Sequence, residues 1–373
     1  MRTAGRNGGD DVRFSFLYGV RTRDWLRMLG ESGFALSRTG IPTALGITAL
    51  SLHNSWLGRR EARIDTSGER VRAPVFVLGH WRSGTTHLQY LLAQDPRMAS
   101  PTTYDVCWPG SLLTGEGDHG RFMARFLPST RLQDAMAFGM SVPNEDEIAL
   151  AVMGLPTPYR YWAFPASGRR WDRYMSFADA TERERETFRR GLDLYLRKLQ
   201  WKYRSRLVLK SPPHTARVPM LLEMYPDARF VHIHRHPIDV YRSTRHLWET
   251  YHRRVAFVQE PDVAGVEERI LEVYSRMYDA YFENVDRIPP GRHADVRFED
   301  LERDPLGVMG EVYETLGFPD LPEARLRSYM ERLGTHRKNR YAPLATTTRR
   351  RVERSWARSF DTWKYPRSVS HLH

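Results

Sequence analysis

Apolar residues along this chain come in two rhythms. Short unbroken runs read as strands buried on both faces: Val75–Leu78 behind Pro74, Leu207–Leu209, and the apolar centre of Arg229–His234. Longer stretches repeat every three to four residues and read as helices. Thr85–Leu92 groups Leu88, Leu91 and Leu92 on one face, and Thr181–Tyr203 groups Phe188, Leu192, Tyr195, Leu196 and Leu199. Helical spacing also covers Phe14–Leu57, Phe122–Met140 and the stretch from Pro143 to Met153. Two further helices carry Val218, Leu221, Leu222 and Tyr225, and then Tyr241, Ser243 and Leu247. Neither rhythm holds up to Arg13, across Pro-, Thr- and Gly-rich Ser100–Gly120, or across aromatic and basic Arg160–Arg173. These are expected to be a disordered tail, irregular chain and a loop.

From Pro74 onward strands and helices alternate. The strands therefore belong in one parallel sheet with helices on both faces, a three-layer α/β domain. Residues 71–373 form that domain, and residues 1–70 form a helical arm that reaches it through the charged linker Glu61–Arg72. At 373 residues the chain has ample core. No internal repeat is visible.

Charge changes the picture. The net charge of +12 and pI of about 9.9 call for an acidic partner. No nucleic-acid-binding motif accompanies the charge, so no nucleic acid is expected; a highly phosphorylated small molecule and a membrane surface are the economical partners. The single Cys107 excludes an intramolecular disulfide and a cysteine-only metal site, and it fits a reducing, cytoplasmic setting. No apolar run reaches the roughly 18 residues of a membrane span, and the polar Met1–Asp11 lacks a signal-peptide core. The arm holds two apolar clusters, at Trp25, Leu26, Met28 and Leu29 and within Ile41–Leu52. They are flanked by Arg21, Arg23, Arg27, Arg38, Arg59 and Arg60. Two readings stand: peripheral contact with an inner membrane surface through residues 14–57, or a helical arm packed on the domain.

The candidate chemistry begins at Gly79-His80-Trp81-Arg82-Ser83-Gly84, a glycine-bounded loop between the first strand and the helix Thr85–Leu92. Strand, loop and helix N-terminus form an anion cradle with P-loop spacing. A nucleotide triphosphatase would place Lys after the second glycine, where Thr85 stands, so the loop suits a 5′-phosphate without a triphosphate grip. Lys210 and Arg235 each end a strand. Parallel sheets bind ligands at their carboxyl ends, so Arg82, Lys210 and Arg235 should converge on a ligand with several separated anionic groups.

These motifs resemble the sulfotransferases that use 3′-phosphoadenosine 5′-phosphosulfate (PAPS). The similarity is to the bacterial branch with Arg-Ser-Gly-Thr-Thr, here Arg82–Thr86, and Lys-Ser-Pro-x-His, here Lys210–His214. It spans about Pro74 to Tyr341. It implies that Arg82, Ser83, Gly84, Thr85 and Thr86 bind the 5′ side of PAPS, with Arg82 by the bridging oxygen and Lys210 on the sulfonate. His87 takes the place of an aromatic against adenine. Arg235 and Ser243, eight residues apart, match the 3′-phosphate pair. Val296–Pro305 looks like the family's strand and acidic turn. Arg337, Lys338 and Asn339 fall where the family has a late basic cofactor loop, without its usual glycines. The implied activity moves a sulfuryl group from PAPS to a hydroxyl, with no metal; a lipid-like acceptor fits the aromatic loop and apolar arm, and sugars and phenols stay open. The alternatives are a P-loop kinase or NTPase-like protein, and a non-catalytic nucleotide-binding protein on the same fold.

Such a transfer needs a base for the acceptor proton. Some relatives use a His in the segment matching Lys210–His214. Others use a Glu about twenty residues past the loop cation, where Pro101–Tyr104 has none. His214 is one candidate. Glu145 is the other: Asn144 and Glu147 read as a capping box, whereas Glu145 shares a face with Ile148, Ala149 and Val152 and should point inward, as a base or as a partner for a site arginine. His80 in the loop stands behind both.

Overall fold

The computed structural model of the protein describes residues 15–124, 139–254, 258–260, 265–334 and 341–367. Five parallel strands form one sheet: β1 (Val75–Leu78), β2 (Met98–Ala99), β3 (Arg206–Lys210), β4 (Arg229–His234) and β5 (His293–Arg297), in the order β2-β3-β1-β4-β5. β1 is central. Phe76 pairs with Leu209 on one side and Phe230 on the other. Its four residues are fully buried, which explains why they are apolar without alternation.

The period of two sorts those residues between layers. Phe76 and Leu78 join a core built with Phe188, Leu192, Leu221 and Tyr274 from the helices Glu182–Tyr203, Val218–Met224 and Val266–Phe282. Val75 and Val77 join a second core with Leu88, Leu91, Leu92, Met309 and Val312. The sheet is therefore covered on both faces, as the alternation of strands and helices predicts.

The arm is a 3-10 turn at Phe16–Gly19, helix α1 at Thr22–Glu31 and helix α2 at Ile41–Glu61, which runs into the expected linker. Trp25, Met28, Leu29 and Ile47 bury against Val152 and Phe164 of the domain. Asn54 Nδ2 donates to the carbonyls of Tyr18 (2.7 Å) and Val20 (3.1 Å), and Glu61 accepts from Lys198 Nζ at 2.6 Å.

Two unpatterned stretches are more ordered than expected. Within Ser100–Gly120, Thr102 and Asp105 cap each other around a short helix at Thr103–Cys107, with Tyr104 and Trp108 buried. Arg160–Arg173 is not open loop: 3-10 turns run over Pro158–Trp162 and Pro165–Tyr174, each opened by a proline that presets its first dihedral. Of the expected helix Phe122–Met140, Asp118–Ala124 is helical and 125–138 lie outside the described residues. Among the described residues no helix is long and apolar enough to cross a membrane, and no group of three or more metal-ligating side chains gathers.

Candidate active site

The loop after β1 turns on three residues with positive φ. At Gly79 (φ 140°) a Cβ would sit 2.5 Å from the Ile233 carbonyl oxygen, and at Gly84 (φ 102°) it would sit 2.3 Å from the Phe298 ring, so only glycine fits either place. Arg82 has φ 69°, a strained geometry costing on the order of 1–3 kcal/mol, and bonds on either side hold it. Gly79 N–H donates to Thr215 Oγ1 at 2.7 Å, and Ser83 Oγ donates to the His80 carbonyl at 2.7 Å. Helix α3 (Thr85–Leu92) follows with Gly84 as its N-cap and no side chain satisfying its first amides. Those amides and the positive helix end suit an anion. Thr85 is buried; Thr86 and His87 are half-buried.

The 3′-phosphate pair of the sequence reading lies against this loop. Arg82 Nε donates to Ser243 Oγ at 2.9 Å, so Arg82 lies beside Ser243. Arg235 stacks on Phe298 at 4.5 Å and reaches the Arg82 carbonyl at 3.4 Å. Tyr341, unsuspected from sequence, lies 3.0 Å from Ser243 Oγ. The Val296–Pro305 segment braces this side: Phe298 packs over Gly84, and Glu299 accepts from the His236 amide at 3.0 Å. Arg337, Lys338 and Asn339 lie outside the described residues.

A second limb forms where the helix Asp146–Val152 meets the end of β3. Three consecutive carboxylates face a lysine, a histidine and an arginine. Glu145 accepts from Lys210 Nζ at 2.6 Å, Asp146 meets His214 Nε2 at 2.6 Å, and Glu147 takes Arg217 through two bonds of 2.7 and 2.9 Å. This corrects the capping-box reading. Glu147 is fully buried, its amide is satisfied by Ser211 Oγ at 2.9 Å, and its side chain serves Arg217 and Thr157. Glu145 does point inward, toward a lysine and not an arginine. The Asp146 carboxyl is pushed up by burial, but the His214 charge and the bonds from His214 and Ser211 outweigh that and hold it below the usual carboxylate range.

Glu145 also accepts from Tyr159, whose hydroxyl takes the Trp81 indole N–H at 3.0 Å. Burial, and then the nearby carboxylate, push the Tyr159 phenol well above its ordinary range, so it stays protonated as a donor. Loop residue Trp81 is thereby tied to the Glu145–Lys210 pair. His214 is different: it is fully buried, edge-on to Phe76 at 5.2 Å. His80 is also buried, and desolvation, partly offset by the Trp81 carbonyl 2.8 Å from Nδ1, lowers its pKa to about 4. Its neutral ring donates from Nδ1 to that carbonyl.

Beside Trp81 opens a pocket of about 490 Å³, open solvent included, whose walls are mainly aromatic and aliphatic: His80, Trp81, Tyr159, Tyr161, Trp162, Leu247, Trp248 and Ile270 among them. Trp162 stacks on Trp248 at 4.4 Å. Arg269 lies 3.7 Å over Tyr161 and is neutralised by two bonds to Asp172 of 2.6 and 2.7 Å, so its charge does not make the pocket an anion site.

A sequence profile of the sulfotransferase family matches residues 74–323. The omega-hydroxy-beta-dihydromenaquinone-9 sulfotransferases Stf3 of Mycobacterium bovis and Mycobacterium tuberculosis are each 32% identical to this chain over 353 residues, covering 92% of it and 89% of their own length. Among solved structures, sulfotransferase STF9 from Mycobacterium avium superposes with a TM-score of 0.66 at 21% identity, covering 96% of this chain and 98% of that one. Sulfotransferase STF1 from Mycobacterium tuberculosis gives 0.58 at 18% identity, covering 94% and 95%. The two superpositions establish the common fold, and the profile and the Stf3 relatives establish the kinship: this chain belongs to the sulfotransferase family and is a sulfotransferase.

Proposed function

We propose that the protein transfers a sulfuryl group from PAPS to the hydroxyl of an apolar, lipid-like acceptor. The observation that carries this reading is the meeting, at one edge of the sheet, of a glycine-shaped anion loop, the Arg82–Ser243–Arg235 group and an aromatic pocket joined to them through Trp81. The donor, when bound, supplies an activated sulfuryl group whose bond to a phosphate oxygen breaks as the new sulfur–oxygen bond forms. The α3 amides, Ser83, Gly84, Thr85 and Thr86 hold the 5′ side. Arg235 and Ser243, joined by Arg82, hold the 3′-phosphate, and His87, Arg337, Lys338 and Asn339 complete the donor set. Lys210 brings positive charge to the sulfonate.

Glu145 is the stronger candidate base. Lys210 pairs with its carboxylate, and Tyr159, a pocket-wall residue, donates to it. His214, sealed behind β1 with Asp146, is assigned to holding the start of the helix Asp146–Val152. The aromatic pocket takes the acceptor chain. An apolar acceptor is also supported by the Stf3 relatives, which are named for a menaquinone carrying an omega-hydroxyl.

Donor binding is tested by calorimetry with 3′-phosphoadenosine 5′-phosphate. Arg235→Ala should weaken it by about 2–3 kcal/mol through loss of a charge-assisted contact. Unchanged affinity would remove Arg235 from the site.

The base is tested by comparing two variants with donor saturating. Glu145→Gln should cut kcat by about 10²–10⁴-fold. His214→Ala should keep its turnover per folded molecule but lose about 3–5 kcal/mol of stability at neutral pH, because a buried carboxylate is stranded. Asp146 has a depressed native pKa, so its contribution to stability is present above the ordinary carboxylate pKa of about 4 and disappears as pH falls through the native value. Urea unfolding in increasingly acid buffer should therefore narrow the gap between wild type and His214→Ala. Near-wild-type turnover in Glu145→Gln would reject Glu145 and turn attention to His80.

For the acceptor, kcat/KM should rise along a series of primary alcohols of increasing length, by up to about 0.8 kcal/mol per buried CH₂. Trp162→Ala and Trp248→Ala should flatten that slope. A sugar or phenol outperforming every long alcohol would overturn the lipid assignment.

A further inference from the structure

Helix α2 carries a row of apolar side chains on the face turned to water. At 3.6 residues per turn, Ile41, Leu45, Leu52 and Trp56 fall on one stripe, with Arg59 and Arg60 continuing it. That stripe faces outward: Leu45 is 66% exposed, Leu52 63% and Trp56 52%. The opposite face, packed on the protein, carries Ser51, Asn54 and Glu61 among its buried residues. Their bonds to Thr22, to the Tyr18 and Val20 carbonyls and to Lys198 account for polar side chains inside. Nothing in water accounts for the leucines outside. The turn leading into α2 adds Phe34, 64% exposed, and Leu36. Seven of the nine large apolar side chains exposed among the described residues lie between Leu26 and Trp56, so the apolar surface is concentrated on this arm.

Charge selects the occupant. Residues 15–63 contain seven arginines against three carboxylates. All three carboxylates are engaged: Asp24 by Arg21 and Arg27, Glu31 by Arg160, Glu61 by Lys198. Arg23, Arg38, Arg59, Arg60 and Arg63 are exposed, and Arg60 lies over Trp56 at 5.3 Å. Exposed leucines and a tryptophan edged by arginines match the boundary between acyl chains and anionic headgroups.

We propose that the outer face of α2, with the Phe34–Leu36 turn, docks the enzyme on an anionic phospholipid bilayer. The helix lies in the interface plane: Leu45, Leu52 and Trp56 enter the acyl region while Arg59 and Arg60 stay among the phosphates. The arm's inner face meanwhile packs Trp25 against Phe164, two residues from the pocket residue Trp162, so the docking helices and the pocket wall are one packed unit. The proposal does not rest on the donor or acceptor assignments, and its readout contains no sulfuryl transfer.

The test is co-sedimentation with vesicles of phosphatidylcholine alone and of phosphatidylcholine mixed with phosphatidylglycerol. Wild type should pellet with the mixed vesicles and stay largely in solution with the neutral ones. The double variant Leu45→Glu/Leu52→Glu should lose binding, and Arg59→Gln/Arg60→Gln should weaken it roughly tenfold or more. All these positions are exposed, so thermal unfolding should be unchanged and separates a lost surface from a lost fold. Wild type remaining in solution with both vesicle types would overturn the proposal. So would sedimentation velocity showing a wild-type dimer that Leu45→Glu/Leu52→Glu makes monomeric, since a second copy would then cover the face.

Discussion

Three consecutive carboxylates paired with a lysine, a histidine and an arginine hold this site together. Glu145, Asp146 and Glu147 meet Lys210, His214 and Arg217 across the junction of a helix start and a strand end. Burying one of these carboxylates alone would cost several kcal/mol; the arrangement is tolerable because each meets a basic side chain at hydrogen-bond distance. Arg217 has more than a carboxylate: it donates to the carbonyls of Met175 and Tyr174 and lies over the Phe188 ring at 4.5 Å. The consequence is geometric. With Asp146 and Glu147 tied down, the helix cannot slide along β3, and Glu145 stays against Tyr159 of the pocket wall.

The loop side is governed by close approach. Gly84 lies under Phe298, and Phe298 also carries Arg235, so the β4–β5 side of the sheet decides where the loop's backbone and the strand-end cation sit. Trp81 connects this anion-binding half to the carboxylate half through Tyr159. A sulfuryl donor and a hydroxyl acceptor must be brought together in dry, charge-balanced surroundings. In the proposed reaction, the two halves bridged by Trp81 would do this.

The arm has the opposite economy. Ser51, Asn54 and Glu61 of α2 are used inward as hydrogen-bonding braces beside Ala44, Ile47 and Leu57, while Leu45, Leu52 and Trp56 stay outward. Such a helix has little reason to form in isolation; tertiary bonds from Asn54, Ser51 and Glu61 hold it in place.

The linear sequence was enough to place the central strands and the glycine-bounded loop, though not the two-residue edge strand Met98–Ala99. A buried parallel strand must be apolar throughout, so Val75–Leu78 announced itself. A helix-opening loop with glycines at its ends can hardly be anything but a tight, positive-φ turn. Arg235 and Ser243 were singled out by resemblance to the family's eight-residue spacing, and the fold brings both beside the loop. What stayed hidden depended on contacts between residues distant in the chain. Asn144-x-x-Glu147 satisfies a local capping rule, but the burial that commits Glu147 to Arg217, seventy residues on, leaves no trace in local spacing. The turns at Pro158–Trp162 and Pro165–Tyr174 looked like loop because their aromatic residues follow no helical period, and Tyr159 drew no notice until folding set it between Trp81 and Glu145. In α2 apolar residues lie on both faces, Ile47 and Leu57 inside and Leu45 and Leu52 outside, so only the packed structure decided which face met the protein. Backbone periodicity and glycine geometry are written into neighbouring residues, whereas charge pairing and burial are decided by where the chain returns.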